Sequence, residues 1–236
     1  MANRSGVERV HFSAETEMAG AVEAWLLACG ATCVGREVEV GFGIPDLVAG
    51  MGEARALRNR KRQAGPVTHS LQLAVLEYCA HVRTEDDLRD WAPGAFYELD
   101  RRALQPLLQD ELLTVTNGRY RSRANPKDPF DRLVAVELKL SDVGRGIAQA
   151  HACRAFADAS YLALPAHRVT PETMDRARQV GIGLLAVHAA YAEEAVEPGV
   201  SVATTGRRRM ASEHTLAAAR DGASRVAGSP RHHVVA

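Results

Sequence analysis

The segment that decides the fold is LVAVELKL, which covers residues 133–140. Its branched apolar residues predict a buried β-strand, along which successive side chains point to opposite faces of a sheet. Glu137 and Lys139 therefore share one face, while Val136 and Leu138 share the other. An ordinary interpretation of the charged face is a solvent-exposed surface with a weak salt bridge. That interpretation explains the charges, but it does not explain why they interrupt so apolar a strand.

The segments on both sides of this strand alternate between helix and strand patterns, which predicts an α/β fold. Three segments have the spacing of helices, at about 13–29, 143–159 and 171–178. Four further segments have the pattern of strands, at about 32–41, 44–49, 161–165 and 183–188. The tail from Thr204 onward is polar and weakly patterned, and we expect it to be flexible.

The first helical segment carries a carboxylate on its apolar face. Met18, Val22 and Trp25 recur at helical spacing and form a stripe that faces a core. Glu15 lies on the same stripe. One explanation is that the helix dipole stabilises an acidic residue in the first turn. The other is that Glu15 points inward because it belongs to a functional site.

Residues 68–123, between the second and third predicted strands, have the pattern of three helices and a β-hairpin. Thr84 and the three acidic residues after it predict the start of the second, short helix. The third helix, at about 95–109, contains Pro106, which predicts a kink. Asn117-Gly118 lies between two strand patterns and is a strong signal for a tight hairpin turn. Three helices followed by a hairpin are typical of a winged helix-turn-helix domain.

The composition is that of an ordinary globular protein, with 46% hydrophobic and 25% charged residues among 236. Because 29 basic residues balance 29 acidic ones, the net charge indicates neither a nucleic-acid nor a membrane partner. No apolar run approaches the roughly 20 residues of a membrane span, and the N-terminus lacks an apolar secretory segment. We therefore expect no membrane partner and a cytoplasmic location. The cysteines lack zinc-binding spacing and are expected to be small buried residues: Cys29, Cys33, Cys79 and Cys153.

A second carboxylate is expected beside Glu137. The turn Ile44-Pro45-Asp46 places Asp46 at the beginning of the neighbouring predicted strand. Two carboxylates from adjacent strands suit Mg²⁺, which prefers one or two carboxylates together with water and phosphate oxygens. Lys139 on the same face would orient an attacking water or stabilise negative charge on phosphorus. The pattern thus predicts metal-assisted hydrolysis of a phosphodiester.

These residues resemble the motifs of the PD-(D/E)XK nuclease superfamily. Pro45-Asp46 is similar to the PD motif, and Glu137-Leu138-Lys139 is similar to the E-x-K motif. Gln149 matches a glutamine that follows on the next helix in several branches. The resemblance covers roughly residues 13–50 and 130–190. It implies the restriction-endonuclease-like core of that superfamily, with the element order αβββαβ.

The resemblance also implies roles for the matching positions. Asp46 and Glu137 would hold the metal ion, Mg²⁺ or Mn²⁺, and Lys139 and Gln149 would complete the catalytic site. The family often carries a further carboxylate on the first helix, for which the candidates, in order of match, are Glu15, Glu17 and Glu23. Two more carboxylates could act as ligands or as ordinary exposed strand residues: Glu37 and Glu39.

One departure from the family pattern is the separation of 91 positions between Asp46 and Glu137, where the family usually has a short hairpin. Excising about 53–126 leaves an ordinary connection, so we predict an inserted winged-helix domain there. We expect it at the tip of the hairpin, close to the substrate. The nuclease-like core is then discontinuous, at 1–52 and 127–203, and residues 204–236 form the flexible tail.

Basic residues of the inserted region are the predicted contacts with nucleic acid. The third helix of such domains enters the major groove, and the wing meets backbone phosphates. The candidates are Arg101 and Arg102 on the third helix, Arg119, Arg121 and Arg123 on the wing, and a basic run at Arg58, Arg60, Lys61 and Arg62. Such a run is also typical of a solvated linker. Winged helices also serve as protein-binding modules, an alternative favoured by the acidic residues Asp86, Asp87, Asp90, Asp110 and Glu111.

The sequence therefore favours a divalent-metal-dependent DNA endonuclease that an inserted winged helix directs to double-stranded DNA. Cutting both strands requires two sites, which favours a homodimer. The expected setting is restriction, defence against phage or mobile elements, or DNA repair. The alternative is a non-catalytic DNA-binding or regulatory protein on a nuclease-like scaffold. The presence of Asp46, Glu137 and Lys139 together favours the enzyme, because a decayed site typically lacks one of them. The residues leave an RNA substrate open.

Overall fold

The computed structural model describes residues 11–41, 43–53, 65–123, 128–200 and 202–227, with side chains up to residue 219. The strands are β1 (Ala31–Arg36), β2 (Leu47–Met51), β3 (Arg83–Thr84), β4 (Leu113–Thr116), β5 (Arg119–Ser122), β6 (Arg132–Leu138), β7 (Ala159–Pro165), β8 (Gly183–Val187) and β9 (Ala192–Val196). The helices are α1 (Thr16–Ala28), α2 (Ser70–Tyr78), α3 (Glu85–Trp91), α4 (Phe96–Leu99), α5 (Gln105–Gln109), α6 (Val143–Cys153), α7 (Pro171–Val180) and α8 (Thr205–Ala227). Two short helical turns complete the set: π-helical Asp100–Leu104 and 3-10 Ala166–Arg168.

The larger sheet has six strands in the order β1-β2-β6-β7-β8-β9. The pairs β1–β2, β2–β6 and β8–β9 are antiparallel, whereas β6–β7 and β7–β8 are parallel. Helix α1 packs on one face through Met18, Val22 and Leu26, and α6, α7 and α8 pack on the other. Because both faces of β6 and β7 are covered, these strands are buried almost throughout. The predicted α/β class is confirmed.

The smaller sheet, with strand order β3-β5-β4, belongs to the region between β2 and β6. It packs with α2 to α5 around a separate apolar core. Asn117 and Gly118 have positive φ angles of 51° and 69°, as a two-residue type I′ hairpin requires, and they join β4 to β5 as predicted. Thr84 caps α3 as predicted, since its hydroxyl accepts the Asp87 N–H at 3.2 Å and the Asp87 carboxylate accepts the Thr84 N–H at 2.7 Å.

Pro106 interrupts the third helix of this region, because proline has no backbone N–H to continue the helical hydrogen bonds. The backbone becomes π-helical over Asp100–Leu104, directly before the proline. The Arg102 carbonyl, which an N–H at position 106 would normally satisfy, accepts a hydrogen bond from Gln72 Nε2 at 3.2 Å. The predicted kink is therefore present as a π-helical turn between α4 and α5.

Strand β1 is shorter than the sequence predicts. The alternation at 32–41 predicts one strand, but β1 ends at Arg36 because Glu37 adopts a left-handed conformation with φ 48°. Val38 and Val40 nevertheless remain buried, within a loop. The alternation thus marks core-facing residues rather than a continuous strand. Strands β3 and β9 have no counterpart in the sequence-based prediction.

The structure differs from the expected flexible tail over Thr205–Ala227, which forms α8. Ala211 and Leu216 are fully buried against the larger sheet. Arg208 holds the start of the helix, because its guanidinium pairs with both Asp128 and Asp158. The polar composition of the tail suggested solvent exposure, whereas several of its charged groups are used inside the fold.

The inserted region leaves the larger sheet at the end opposite Asp46 and Glu137. Asp46 precedes β2 and Glu137 lies near the end of β6, whereas the chain leaves β2 after Met51 and returns at Arg132. The length of β2 separates these two ends by roughly 16 Å. The inserted region thus lies at the tip of the β2–β6 hairpin as expected, but antiparallel pairing places this tip at the end of the strands away from Asp46 and Glu137.

Helix α8 packs against the inserted region as well as against the larger sheet. The Val67 N–H donates to Glu213 Oε2 at 2.9 Å, and Arg209 Nη1 lies 3.5 Å from Glu77 Oε2. Met210 packs on the apolar core of the region. None of the helices in the described ranges is long and apolar enough to cross a membrane.

Candidate active site

Asp46, Glu137 and Lys139 come together at one end of the larger sheet. Asp46 directly precedes β2, which pairs with β6 in an antiparallel ladder. Its Oδ2 atom accepts a hydrogen bond from the backbone N–H of Leu138 at 2.7 Å. This bond ties the carboxylate before β2 to the backbone at the end of β6 and places it beside Glu137 and Lys139.

The Lys139 ammonium lies among three carboxylates. Its Nζ donates to the Leu138 carbonyl at 2.8 Å. Three carboxylate oxygens surround it at longer distances: Glu15 Oε2 at 3.4 Å, Asp46 Oδ2 at 3.6 Å and Glu137 Oε2 at 3.9 Å. The lysine side chain is only 11% exposed, so these carboxylates offset the desolvation of its charge. One ammonium cannot neutralise three ionised carboxylates, and the cluster has an excess of acidic groups.

Glu137 is the buried acid of the cluster, with its side chain 4% exposed. Burial raises the pKa of Glu137 to about 7, and the negative charge of Asp46 acts in the same direction. The Lys139 ammonium and the Cys153 thiol act in the opposite direction. Near neutral pH this glutamate is therefore only partly ionised. A cation that stabilises the ionised form would bind with release of protons.

Glu137 lines a cavity of about 110 Å³ together with residues of α6 and of the loop before β2. Gln149 and Cys153, four residues apart on one face of α6, both line it. The Cys153 thiol donates to Glu137 Oε1 at 3.7 Å, and burial raises the pKa of this thiol. Gln149 Oε1 is buried and has no hydrogen-bond partner among the described residues. A donor or a cation in the cavity would satisfy this oxygen.

The oxygen atoms at this site fit a divalent cation held by two carboxylates. Within the described ranges, no group of three or more His, Cys, Asp or Glu side chains is arranged to hold a metal ion. Asp46 and Glu137 would supply two hard ligands to such an ion, and Gln149, whose Oε1 lacks a partner among the described residues, lines the cavity of Glu137. Mg²⁺ accepts one or two carboxylates and keeps water or phosphate oxygens at its other positions, and carboxylate ligands also suit Mn²⁺.

Glu15 is the carboxylate of α1 that reaches this cluster. Its Oε1 accepts the N–H of Leu140 at 3.3 Å, while Oε2 faces Lys139. These contacts explain why an acidic residue lies on the apolar stripe of the helix. The other carboxylates considered lie elsewhere: Glu17 bonds to Ser13, Glu23 pairs with Arg36, and Glu37 and Glu39 are exposed.

The structure places the predicted nucleic-acid contacts on the surface of the inserted region. Three arginines are exposed along the wing: Arg119, Arg121 and Arg123. Arg101 and Arg102 both pair with Glu98, at 3.3 Å and 2.6 Å, so their charges are partly compensated. The predicted basic run lies outside the described residues: Arg58, Arg60, Lys61 and Arg62.

Two residues of the site were not identified from the sequence. Cys153 had only been assigned a buried structural role, although its position four residues after Gln149 places it on the same helix face. Gly146 lets α6 approach Lys139 closely, because a Cβ at this position would lie 2.8 Å from the Lys139 Cγ atom and 2.6 Å from Leu162. The predicted assignment of Cys29 as buried is wrong, since this cysteine is exposed.

Comparison with known proteins gives no family for this chain. No family model matches the sequence, and no curated protein matches it. Among solved structures, a protein of unknown function from Silicibacter pomeroyi is similar over 44% of this chain and 68% of its own length. The two share 18% sequence identity with a TM-score of 0.31.

Proposed function

We propose that the protein is a divalent-metal-dependent DNA endonuclease with a PD-(D/E)XK-type core, targeted to DNA by an inserted winged helix. The observation that carries the proposal is the meeting of Asp46, Glu137 and Lys139 beside a cavity. Each motif alone is common in protein sequences. Their meeting on neighbouring strands, with an excess of acid over base, is the arrangement that metal-assisted phosphodiester hydrolysis needs.

The order of elements around the site supports this core. Along the chain, α1, β1, β2, β6, α6 and β7 give the sequence αβββαβ once the inserted region is set aside. The first three strands pair antiparallel, and β7 then joins β6 in parallel through α6. This is the order expected for a restriction-endonuclease-like core.

The two acidic residues on the strands would hold the ion. Asp46 and Glu137 are the ligands for Mg²⁺ or Mn²⁺, which when bound supplies a Lewis acid and lowers the pKa of water. The Leu138 N–H orients Asp46, and the Cys153 thiol orients Glu137 through Oε1. Both carboxylates are thus held in place by neighbouring groups of the fold.

Lys139 supplies a positive charge to the reacting phosphate. The Leu138 carbonyl and Glu15 hold its ammonium in place, so it does not reorganise during the reaction. A preorganised cation in a buried site stabilises the negative charge that develops on the phosphate oxygens. It also orients a water molecule for attack. Gln149 offers an additional oxygen in the cavity of Glu137.

The inserted region supports targeting to double-stranded DNA. Its elements follow the order α2, β3, α3, the kinked helix of α4 and α5, β4 and β5, and its sheet order is β3-β5-β4, which is the arrangement expected of a winged helix. The exposed arginines of the wing provide positive charge for backbone phosphates. Glu98 pairs with both Arg101 and Arg102, whereas on the wing Glu111 pairs only with Arg123, at 3.4 Å. We therefore assign the larger share of DNA affinity to the wing.

One observation favours a non-catalytic DNA-binding or regulatory protein as the second candidate. The Lys139 ammonium already lies within 4 Å of all three carboxylates, so part of their charge is compensated without a metal ion. Under this alternative the chain binds DNA through the inserted region, and the cluster only stabilises the fold.

Cleavage of supercoiled plasmid and of linear duplex DNA by the purified full chain tests the proposal. We expect nicking or cutting with Mg²⁺ or Mn²⁺ and binding without cleavage with Ca²⁺, whose looser coordination positions the attacking water poorly. Asp46→Asn and Glu137→Gln should each abolish cleavage. Glu17→Gln removes a carboxylate from the same helix as Glu15, away from the cluster, and should retain it.

The outcomes separate the two candidates. Cleavage by the wild type that is lost in both cluster variants and kept in Glu17→Gln supports the nuclease. DNA binding without cleavage under any metal supports the regulatory protein. Equal cleavage by all four proteins would assign the activity to a contaminant. Sedimentation of the chain on DNA tests the proposed homodimer.

A further inference from the structure

A basic cavity lies beside the candidate active site, around the side of α6. It has a volume of about 290 Å³ and lies between the end of α6 and the segment that leads into α8. Three basic side chains line it together with Thr204, and they are His151, Arg154 and Arg207. None of the described residues that line it carries a carboxylate. Ala152 lines both this cavity and the one beside Glu137, so less than the width of a helix, about 10 Å, separates them.

Arg154 is held in a fixed orientation by neutral groups. Its Nη1 donates to the Val180 carbonyl at 2.8 Å, and its Nη2 donates to the Val200 carbonyl at 2.9 Å. Gly181 makes room for the guanidinium, since a Cβ at this glycine would lie 3.0 Å from the Arg154 Cζ atom. The half-buried charge is therefore preorganised, and among the described residues it has no ion pair with a carboxylate.

Arg208, in the first turn of α8, is an arginine of this fold whose charge is compensated by carboxylates. It pairs with Asp128 and Asp158 and also donates to the carbonyls of Phe130 and Asp131. Arg154 has two carbonyls and no such acids. A partly desolvated positive charge without a counterion favours the binding of an anion.

The remaining groups around the cavity also favour an anion. His151 Nδ1 lies 3.1 Å from the Val180 carbonyl and therefore donates to it, so Nε2 donates to an anion when the ring is protonated. Arg207 is exposed and lies in the first turn of α8, where the helix dipole favours negative charge. The Thr204 N–H is already used by the Ala155 carbonyl at 3.3 Å.

We propose that this cavity binds a phosphate group, and that the group is a backbone phosphate of the nucleic acid whose scissile bond lies at Asp46 and Glu137. That the phosphate belongs to a nucleic-acid strand rests on the proposed function, whereas the binding of a phosphate group does not. Planar guanidinium groups match phosphate oxygens in two-point hydrogen bonds. Because the two cavities lie less than a helix width apart, one strand is long enough to present neighbouring phosphates to both.

Titration of the full chain with inorganic phosphate, without divalent metal and at constant ionic strength, tests the phosphate assignment by calorimetry. Arg207→Gln and His151→Gln should each weaken the affinity by roughly tenfold, the loss expected for one charged hydrogen bond. Both side chains are exposed, so neither change removes core packing. Arg132→Gln is the matched control, because it removes an exposed arginine from the cavity on the opposite face of the sheet and should leave the affinity unchanged.

Binding to uncut duplex DNA distinguishes a backbone phosphate from free phosphate or a mononucleotide. If the cavity holds a backbone phosphate, Arg207→Gln should flatten the slope of log affinity against log salt by about 0.9. Loss of phosphate binding with an unchanged slope would overturn the strand assignment and indicate a free phosphate ligand. An absence of phosphate binding by the wild type, or equal binding by Arg207→Gln, would overturn the site altogether.

The proposed nuclease activity and the proposed phosphate site can be rejected independently of each other. Phosphate binding that depends on Arg207, in a chain that cleaves no DNA, would support the cavity and reject the nuclease. Cleavage that depends on Asp46, in a chain that binds no phosphate, would support the nuclease and reject the cavity.

Discussion

Two charged clusters in this protein join distant parts of the chain, and they differ in how well their charges are satisfied. In the cluster of Arg208, Asp128 and Asp158, one guanidinium bonds to two carboxylates and two backbone carbonyls. Asp158 also accepts the N–H of Leu133 at 2.7 Å. Every partner lies at hydrogen-bond distance, so this cluster is saturated. It fixes the start of α8 to the larger sheet.

The cluster around Lys139 is loose by comparison. Its three carboxylates lie 3.4 to 3.9 Å from one ammonium, and a buried oxygen of Gln149 in the adjoining cavity has no partner among the described residues. Burial of Glu137 leaves a group that is half protonated near neutral pH. Saturation is what a structural ion cluster requires, whereas the excess acid beside a cavity supports the proposed cation site. Perturbed groups of this kind are concentrated at functional sites.

The largest expected difference between the clusters is in catalysis. Lys139→Met removes the preorganised cation and should lower the rate of DNA cleavage by roughly 10²- to 10⁴-fold. Arg208→Met should leave the rate per folded molecule nearly unchanged, because its cluster lies at the other end of β6. The measurement is the cleavage rate of each variant divided by its folded fraction, which circular dichroism gives. Equal losses in the two variants would show that the clusters do not differ in function.

The next largest expected effect is on stability, and here the larger loss is expected at the cluster of Arg208. Arg208→Met leaves two partly buried carboxylates without their counterion and should lower the free energy of unfolding by about 3–5 kcal/mol. Arg178→Met removes an exposed ion pair with Asp175 and should change it by less than about 1 kcal/mol. Urea unfolding measures both. A small effect of Arg208→Met would mean that the saturated cluster contributes little to the fold.

The pH dependence of stability is expected to be smaller and to come from Glu137. Because its pKa is raised to about 7 from 4.5, the folded chain keeps a proton there that the unfolded chain has lost. The free energy of unfolding should therefore fall as pH rises from about 4.5 to about 7, by up to about 3 kcal/mol. Glu137→Gln should remove this slope and be more stable than the wild type above pH 7. Urea unfolding at several pH values, without divalent metal, gives the free energy of unfolding of both proteins. The same pH dependence in the two proteins would contradict this role of Glu137.

The smallest expected effect concerns the arginines of the inserted region. Changing Arg119, Arg121 and Arg123 together to alanine should flatten the slope of log DNA affinity against log salt by up to about 3 units. Changing Arg101 and Arg102 should flatten it by less than about 2 units, since Glu98 already compensates them. Fluorescence anisotropy with duplex DNA over a range of salt concentrations gives both slopes. An unchanged slope in the triple variant would favour a protein-binding role for this region.

Local patterns in the sequence predicted the parts of the fold that local physics determines. The Asn117-Gly118 hairpin, the Thr84 cap and the break at Pro106 each depend on a few adjacent residues. The order of strands and helices around Glu137 followed from apolar periodicity. Helix α8 did not, because the partners of its charged residues, such as Asp128 and Asp158, are distant in sequence.

The main acidic and basic residues of the site were predictable, but the residues around them were not. Asp46, Glu137 and Lys139 were identified from the strand patterns and Gln149 from the resemblance to the nuclease motifs, and the structure brings the first three together with Glu15. The basic cavity was missed, since Arg207 is distant in sequence from His151 and Arg154. These residues come together only in the folded chain, where the Val180 carbonyl holds His151 and Arg154 and the start of α8 brings Arg207 to the cavity. The inserted region was expected beside the site, although Asp46 at the start of its strand and the insertion after the end of that strand place the two at opposite ends.

The measurement that tests the central claim most directly is calorimetric titration of the metal-free full chain with Mn²⁺ at about pH 7. Titration in two buffers of different ionisation enthalpy gives the number of protons released. We predict binding with release of roughly half a proton, because Glu137 is half protonated at its pKa of about 7 and must ionise to become a ligand. Asp46→Asn and Glu137→Gln should both lose this binding, and Glu17→Gln should retain it. Binding without proton release, or equal binding by the wild type and both cluster variants, would contradict a cation site between Asp46 and Glu137.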